Sequence, residues 1–179
     1  MDRFKSTRVC AAFCLSVVLG FIGASGHCVA QQLTPSQSVA AMTPLPGMEV
    51  RLVASEPLVR QPVCIEHDDR GRLWVIQYLQ YPNPEGLKRV AVDRFSRTRY
   101  DRVPEPPPHG PRGADRITIL KDSDGDGVMD EGKDFVNGLN LATGLAFGHG
   151  GVYVLNVPYL LFYPDHNRDD VPIPIRKCC

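Results

Sequence analysis

The stretch that decides the fold runs from residue 119 to residue 126 and reads Ile119-Leu120-Lys121-Asp122-Ser123-Asp124-Gly125-Asp126. Its pattern returns 43 residues later, where the chain reads Phe162-Tyr163-Pro164-Asp165-His166-Asn167-Arg168-Asp169. A second pair of similar runs is 79 residues apart: Gly71-Arg72-Leu73-Trp74-Val75 and Gly150-Gly151-Val152-Tyr153-Val154. The 36 extra residues belong to one Pro- and Arg-rich insertion, at about residues 78–113. A repeat of roughly 40–45 residues built from short strands is typical of a β-propeller blade.

The sequence around this repeat alternates between β-rich runs and turns. Val50, Leu52 and Ala54 alternate with polar neighbours at a strand period, and residues 68–71 have hairpin-turn chemistry. No window after residue 30 holds a convincing helical period, and further strands are predicted at residues 72–76, 117–120, 145–147, 152–155 and 159–163. We therefore predict a mostly β fold, a partial β-propeller of about one and a half blades over residues 47–172. A generic β-sandwich is the alternative.

The first 30 residues have the pattern of a secretory signal peptide. A basic start is followed by an uncharged apolar stretch, and Cys28-Val29-Ala30 places small residues where a signal peptidase cuts. An uncleaved signal anchor is the alternative, because the uncharged stretch is just long enough to span a bilayer. Residues 31–46 read as a polar linker. We expect an exported protein, periplasmic or extracellular, that meets a membrane only through export or through such an anchor.

Composition excludes further classes of protein. The 179 residues carry 20 basic and 20 acidic side chains, so the chain lacks the basic excess of nucleic-acid-binding proteins, and we expect no nucleic-acid partner. Gly and Pro, 16 of each, favour turns over long helices. Removal of residues 1–30 would leave three of the six cysteines, Cys64, Cys178 and Cys179. An odd number does not indicate a disulfide scaffold.

The most specific chemistry lies in an acidic loop with the spacing D-x-D-x-D-G-x-x-D. Calcium binds six to eight oxygens, and carboxylates at alternate positions of a tight loop converge on one point. The predicted ligands are the side chains of Asp122, Asp124, Asp126 and Asp130 and the backbone carbonyl of Val128, with Gly127 permitting the turn. An EF-hand is excluded because its twelfth position is Lys133 here. The predicted role is structural, locking a hairpin; a solvated acidic turn is the alternative.

A second acidic loop is a weaker calcium candidate. Asp165, Asn167 and Asp169 match the first three ligand positions. Its sixth position is Asp170 in place of Gly, and its ninth is Ile173, which cannot coordinate a cation. A polar turn is the alternative reading of this loop.

The insertion at residues 78–113 combines an excess of basic residues with interleaved aromatic ones. It could bind an anionic partner, or it could be a solvated loop packed by its own aromatics and prolines. The histidines are scattered among turns, no C-x-x-C-H haem box is present, and we assign no histidine a catalytic role.

Several runs resemble one bacterial protein family. They are residues 54–62, 71–75, 97–111, the loop at 122–130, and residues 158–163. Together they resemble the N-terminal propeller of the PVC-type membrane-bound dehydrogenases of planctomycete-like bacteria. That domain is similar to soluble quinoprotein glucose and sorbosone dehydrogenases. The resemblance implies an exported six-bladed propeller, pyrroloquinoline quinone as cofactor, and a sugar or another small polar substrate.

The chain departs from that family's pattern after residue 172. The family continues with an acidic residue and further blades, whereas this sequence reads Ile173-Pro174-Ile175-Arg176-Lys177-Cys178-Cys179. We therefore expect residues 173–179 to be an aberrant tail and the chain to be a truncated member, inactive alone. No catalytic or quinone-binding residue can be carried over, and no haem is expected in this chain. A non-catalytic, calcium-stabilised extracellular binding module is the alternative function.

Overall fold

The computed structural model describes residues 33–173 and the backbone of residues 176–177. The predicted signal peptide, the start of the predicted linker, and most of the predicted tail, Cys178 and Cys179 included, lie outside the described residues. A short helix, α1 (Pro35–Ala40), occupies part of the 31–46 segment. Thr34 caps it, because its hydroxyl accepts from the Gln37 amide while the Gln37 side chain accepts from the Thr34 amide.

The rest of the described chain is built from antiparallel strands, which confirms the mostly β prediction. In chain order they are β1 (Pro62–His67), β2 (Leu73–Gln77), β3 (Arg89–Val92), β4 (Thr98–Tyr100), β5 (Asp115–Lys121), β6 (Glu131–Leu139), β7 (Ala142–Gly148), β8 (Gly151–Asn156), β9 (Tyr159–Pro164) and β10 (Arg176–Lys177).

These strands form two four-stranded sheets and one separate hairpin. The first sheet has the order β1-β2-β5-β6, and the second has the order β7-β8-β9-β10. Strands β3 and β4 pair only with each other and lie in the insertion between β2 and β5. The described residues form neither a closed barrel nor a closed propeller. Apart from the insertion, each sheet is an up-and-down meander of consecutive strands.

Both sequence repeats fall at equivalent places in the two sheets. Trp74 lies in β2 and Tyr153 in β8, the second strand of each meander. Asp122 and Asp165 each follow the third strand, β5 in one case and β9 in the other. The 36 residues that separate the two repeat spacings hold the β3–β4 hairpin, which explains why one sequence offset is larger than the other.

The main core lies between the two sheets. Alternate side chains of each strand face it, so the apolar residues at period two in the sequence meet in one cluster. Trp74 is 3% exposed and packs edge-on against Phe135 and Phe147, with ring centroids 4.9 and 5.1 Å apart. Val152 and Val154 enter the same cluster from the second sheet. Burial of this seam is the main apolar contribution to the fold.

The outer face of the first sheet is covered by the chain itself. Val75 and Leu120 pack there against Leu58, Val59 and Ala54. The strand predicted from the alternation at residues 50–54 is wrong, because no strand of the described residues pairs with this segment. It runs as irregular chain over the sheet, and its Val53 carbonyl accepts from the Met129 amide at 2.7 Å. Its alternation instead reflects one side packing on the sheet.

Asp115 joins the insertion to both sheets. It begins β5, is fully buried, and accepts from the Gln80 amide at 2.6 Å and the Ala142 amide at 2.9 Å. Burial raises the pKa of Asp115, although the backbone hydrogen bonds oppose that shift. Asn140 adds a second connection between the insertion and the sheets. Its side-chain amide accepts a hydrogen bond from the Glu85 N–H and donates one to the Glu85 carbonyl.

Candidate calcium loops and the interface between the sheets

The first acidic loop connects β5 to β6 and brings three carboxylates together. One oxygen from each of Asp122, Asp124 and Asp126 lies within 4.8 Å of the others. Asp122 organises the turn, because its two oxygens accept from the Gly125 and Gly127 amides at 2.7 and 2.8 Å. Gly127 has φ +90°, a conformation that strains any residue with a Cβ. The glycine in the motif is therefore required by the backbone of this turn.

The spacing of the three carboxylates fits a calcium ion. Calcium–oxygen bonds are roughly 2.3–2.6 Å long, so two ligands on opposite sides of the ion are about 4.6–5.2 Å apart. Three oxygens that all lie within 4.8 Å of one another are close enough to contact one such ion. The backbone hydrogen bond from Gly127 lowers the pKa of Asp122.

Asp130, the fourth acidic side chain of the motif, lies outside that group of three carboxylates. Asp130 accepts from the amide and the hydroxyl of Ser123, and the hydroxyl contact lowers its pKa. Val128 donates its amide to Asp126 at 2.7 Å. The structure thus brings together the three carboxylates at alternate positions, while Asp130 closes the base of the loop through Ser123.

The second acidic loop follows β9 and uses its polar groups internally. Asp165 is 8% exposed and accepts from the amides of Asp169 and Asp170, each at 3.2 Å. The Asn167 amide group donates to the Asp169 carboxylate at 2.7 Å. In the structure Asp165 caps this turn through these amides. Calcium binding by Asp165, Asn167 and Asp169 stays a prediction, with the polar turn as its alternative.

The second loop is tied to the first sheet by an ion pair that local sequence spacing does not reveal. Arg72 donates to both carboxylate oxygens of Asp170, at 2.7 and 2.9 Å, and its Nε donates to Asp68 at 2.8 Å. The Trp74 indole N–H also donates to Asp68, at 2.9 Å. The hydrogen bond from Arg72 lowers the pKa of Asp170. Parallel, charge-assisted hydrogen bonds of this kind are among the stronger polar contacts in proteins.

A second contact joins the β5–β6 hairpin to the same loop. Lys133, the residue that excludes an EF-hand, donates from its Nζ to the Asp169 carbonyl at 2.9 Å. A cleft of about 370 Å³ opens beside these contacts, with Trp74 and Phe147 at its apolar wall and Arg70 and Arg168 at its rim. Its charged side chains mostly pair with one another; Arg168, for example, contacts Asp69. This cleft is therefore a seam between the sheets rather than a pocket of free ligand-binding groups.

The turn at Asp68 has a close copy in the insertion. Asp68 accepts from the amides of Arg70 and Arg72, both at 2.9 Å. Asp93 accepts in the same way from the amides two and four residues later and from the Nε of Arg97 at 2.7 Å. Whereas Arg72 binds Asp170 as well as Asp68, Arg97 pairs only with Asp93 among the described residues, and its side chain is 73% exposed. Both turns share the sequence pattern D-x-x-x-R, and in both the residue before the arginine, Gly71 or Ser96, has a positive φ in the structure.

Comparison with known proteins gives one match. Residues 34–172 match the family described as Domain of unknown function (DUF7133). The chain belongs to this family. No curated protein matches the DUF7133 chain, and no solved structure matches it. The described residues of the DUF7133 chain include no helix long and apolar enough to cross a membrane.

The DUF7133 domain also carries a polar network on the outer face of the first sheet. Gln77 donates to the Thr118 hydroxyl at 2.8 Å, and that hydroxyl donates to Asp134 at 2.7 Å. Arg116 pairs with the same carboxylate, and the group lines a cleft of about 540 Å³. Sequence reasoning missed this network because its members lie on three strands that only folding brings side by side.

Proposed function

We propose that this chain supplies two consecutive blades of an exported β-propeller, one for each four-stranded sheet, in place of the one and a half expected from the sequence. Calcium stabilises these blades, and they catalyse nothing alone. The observation that carries the proposal is an equivalence between two sheet faces. In the first sheet, Trp74 pairs with Ile119 and Ile76 pairs with Ile117. All four side chains are buried against the second sheet.

The same four positions in the second sheet form an apolar face, and no other sheet of the described residues packs against it. Tyr153 pairs with Phe162, and Leu155 pairs with Leu160, at the repeat offsets from the first set. Val152 and Val154 point into the core, so Tyr153 and Leu155 point away from it. Leu155 and Leu160 are 45% and 49% exposed.

Head-to-tail stacking explains this asymmetry. In such a stack each sheet packs one face on the next sheet of the series. The face of the first sheet with Trp74 and Ile76 already packs on the second sheet. Its equivalent is the face of the second sheet with Tyr153 and Leu155. A further sheet would then cover it, as a neighbouring blade does in a propeller. A β-sandwich of two self-contained sheets gives no reason for this face to be apolar, which favours the propeller over that alternative.

Calcium fits this proposal as a structural ion. The three gathered carboxylates lie at the end of the β5–β6 hairpin, away from the intersheet cleft. Four acidic residues in nine are held there without a cation of the chain in their midst, since the ion pairs of the described residues do not include Asp122, Asp124, Asp126 or Asp130. Calcium bound there would relieve their repulsion and favour the folded hairpin.

The dehydrogenase part of the proposal rests on the resemblance alone. It supports placing the blades in an exported quinoprotein that oxidises a sugar, with pyrroloquinoline quinone as the group that accepts the electrons. No residue of this chain is assigned to the quinone, to the sugar or to a step of the reaction. The alternative, a non-catalytic binding module, shares the same blades and the same calcium loop.

Dye reduction by the full chain tests the claim that the blades are inactive alone. The chain would be incubated with calcium, pyrroloquinoline quinone, an aldose and an electron-accepting dye. We expect the rate to equal that of quinone and dye without protein. Aldose-dependent dye reduction that tracks the protein concentration would show that the chain itself is a dehydrogenase and would overturn the proposed function.

A further inference from the structure

The insertion carries a hairpin whose surface is both strongly basic and apolar. This basic hairpin spans residues 88–102 and contains β3 and β4. Six basic residues face two acidic ones, a net charge of +4 in a chain with no net charge overall. Both acidic residues are occupied, since Asp93 pairs with Arg97 and Asp101 pairs with Arg102. Within the described residues, ion pairs do not engage Lys88, Arg89, Arg94 or Arg99.

Three large apolar side chains are exposed on the same hairpin. Val90, Val92 and Phe95 are 60%, 55% and 62% exposed, and all four residues of β3 are exposed. Phe95 lies at the turn between two guanidinium groups, with Arg94 at 4.6 Å and Arg97 at 5.2 Å from its ring centroid. Of these two arginines, Arg97 is paired with Asp93 and Arg94 has no ion pair among the described residues. Exposed apolar side chains beside such charges are costly to leave in water unless they have a surface to meet.

The segments that flank the hairpin are hydrogen-bonded to the rest of the domain, so the hairpin is held at its base. Gln80 is held by Asp115, and Glu85 is held by Asn140. On the other side of the hairpin, the Tyr159 hydroxyl donates to the Pro104 carbonyl at 2.8 Å. A paired two-stranded hairpin on such a base needs little ordering when it binds.

We propose that the basic hairpin docks this protein on the surface of a bilayer that contains anionic lipids, a membrane contact in addition to the export and anchor expected from the sequence. The basic side chains favour an anionic partner by charge complementarity. The exposed valines and phenylalanine favour a partner that has an apolar interior beneath its charged surface. A lipid headgroup layer offers both, because apolar side chains enter the acyl boundary while arginines stay with the phosphates. A soluble acidic polymer would satisfy the arginines and leave the apolar tip in water.

The test uses the full chain with vesicles of phosphatidylglycerol and phosphatidylcholine in equal amounts, and with vesicles of phosphatidylcholine alone. Hydrogen–deuterium exchange is the readout, because it locates the contact and separates it from any binding by residues 1–30. We expect the mixed vesicles to protect peptides from residues 88–102, and we expect added salt to reduce that protection. The loop at residues 122–130 serves as the internal reference.

Two variants and one matched control make the test specific. The double variant Arg94→Gln with Arg99→Gln should weaken the hairpin's vesicle binding roughly 30-fold, since each basic residue near an anionic surface contributes about one kcal/mol. Phe95→Ser should weaken it with no change in charge. Arg51→Gln with Lys121→Gln removes two exposed charges elsewhere and should leave it unchanged.

Three results would overturn the proposal. They are absence of vesicle-dependent protection at residues 88–102, equal losses in the hairpin double variant and its control, and protection by soluble polyglutamate but not by vesicles. The last result would assign the hairpin to an acidic macromolecule. None of these outcomes depends on whether the chain is part of a dehydrogenase.

Discussion

Arg72 and Asp170 lie 98 residues apart in the chain and face each other across the two sheets through parallel hydrogen bonds of 2.7 and 2.9 Å. Arg72 precedes β2 of the first sheet, and Asp170 lies in the loop after β9 of the second. Both side chains are mostly buried, at 22% and 16% exposed. This pair fixes how the end of one sheet meets the end of the other.

Replacing Arg72 should weaken the chain more than replacing its counterpart in the hairpin. Arg72→Met leaves Asp68 and Asp170 without their shared cation, and we expect a loss of roughly 1.5–3 kcal/mol in the free energy of unfolding. Arg97→Met removes the same turn contact at an exposed site, with an expected loss of about 0–1 kcal/mol. Urea unfolding of both variants measures the difference. Equal losses would show that the contact between the sheets adds nothing.

Acid should release the same contact. The hydrogen bond from Arg72 lowers the pKa of Asp170 below its ordinary 3.8. Burial acts to raise the pKa of Asp68, but hydrogen bonds from Trp74 and Arg72 outweigh it and lower the value. A carboxyl group with a lowered pKa stabilises the fold above its ordinary pKa, and this stability is lost as the pH falls through the folded value.

The pH dependence of unfolding tests this sign. The free energy of unfolding of the parent chain should fall more steeply below pH 3.8 than that of Arg72→Met. Urea unfolding at a series of acidic pH values would record both curves. Parallel curves for the two proteins would contradict the assignment of the acid-sensitive contact to Arg72.

Asp115 should be intolerant of replacement by its own amide. Asp115→Asn keeps one acceptor oxygen but turns an NH₂ group toward the amide of either Gln80 or Ala142. Because the position is fully buried, water cannot replace the acceptor that this amide loses. We expect a loss of roughly 1–3 kcal/mol. Asp101→Asn, which replaces a partly exposed aspartate that also accepts from a backbone amide, is the control. A loss in the free energy of unfolding no larger than that of the control would contradict the role of Asp115 in connecting the insertion to the two sheets.

The outer face of the second sheet should govern self-association. Leu155→Gln with Leu160→Gln makes that face polar, and we expect sedimentation velocity to show less aggregation, since exposed apolar sheet faces associate. Val63→Gln with Ile65→Gln removes two other exposed apolar residues, both on β1, and should have a smaller effect. A larger effect of the β1 pair would argue against the second sheet as the face that a neighbouring blade covers.

Much of the fold could be predicted from local pattern. The strands around Trp74, Ile119, Val154 and Leu161 are short apolar runs bounded by turns, and the structure confirms them. The first acidic loop was predictable because its three carboxylates and its glycines are close in sequence, and folding only has to form one turn to bring them together.

The rest depends on contacts that spacing does not encode. The prediction at residues 50–54 failed because alternation records which side is buried, not whether a neighbouring strand is present. The pairing of Arg72 with Asp170 requires the two sheets to be packed first, and nothing near either residue indicates the other. Asp130 stays a predicted calcium ligand, and its hydrogen bonds with Ser123 are a contact that the spacing of the acidic residues did not indicate.

The measurement that tests the central claim most directly is a thermal melt of the full chain in millimolar calcium and in chelator, for the parent and two variants. Asp126→Asn alters the gathered carboxylates, and Glu131→Gln removes an adjacent exposed charge as the control. We expect calcium to raise the Tm of the parent and of Glu131→Gln, by a stabilisation of about 2.7 kcal/mol at one hundred times its dissociation constant, and to raise that of Asp126→Asn much less. A Tm that does not respond to calcium in the parent, or that responds equally in all three proteins, would contradict a calcium-stabilised pair of blades.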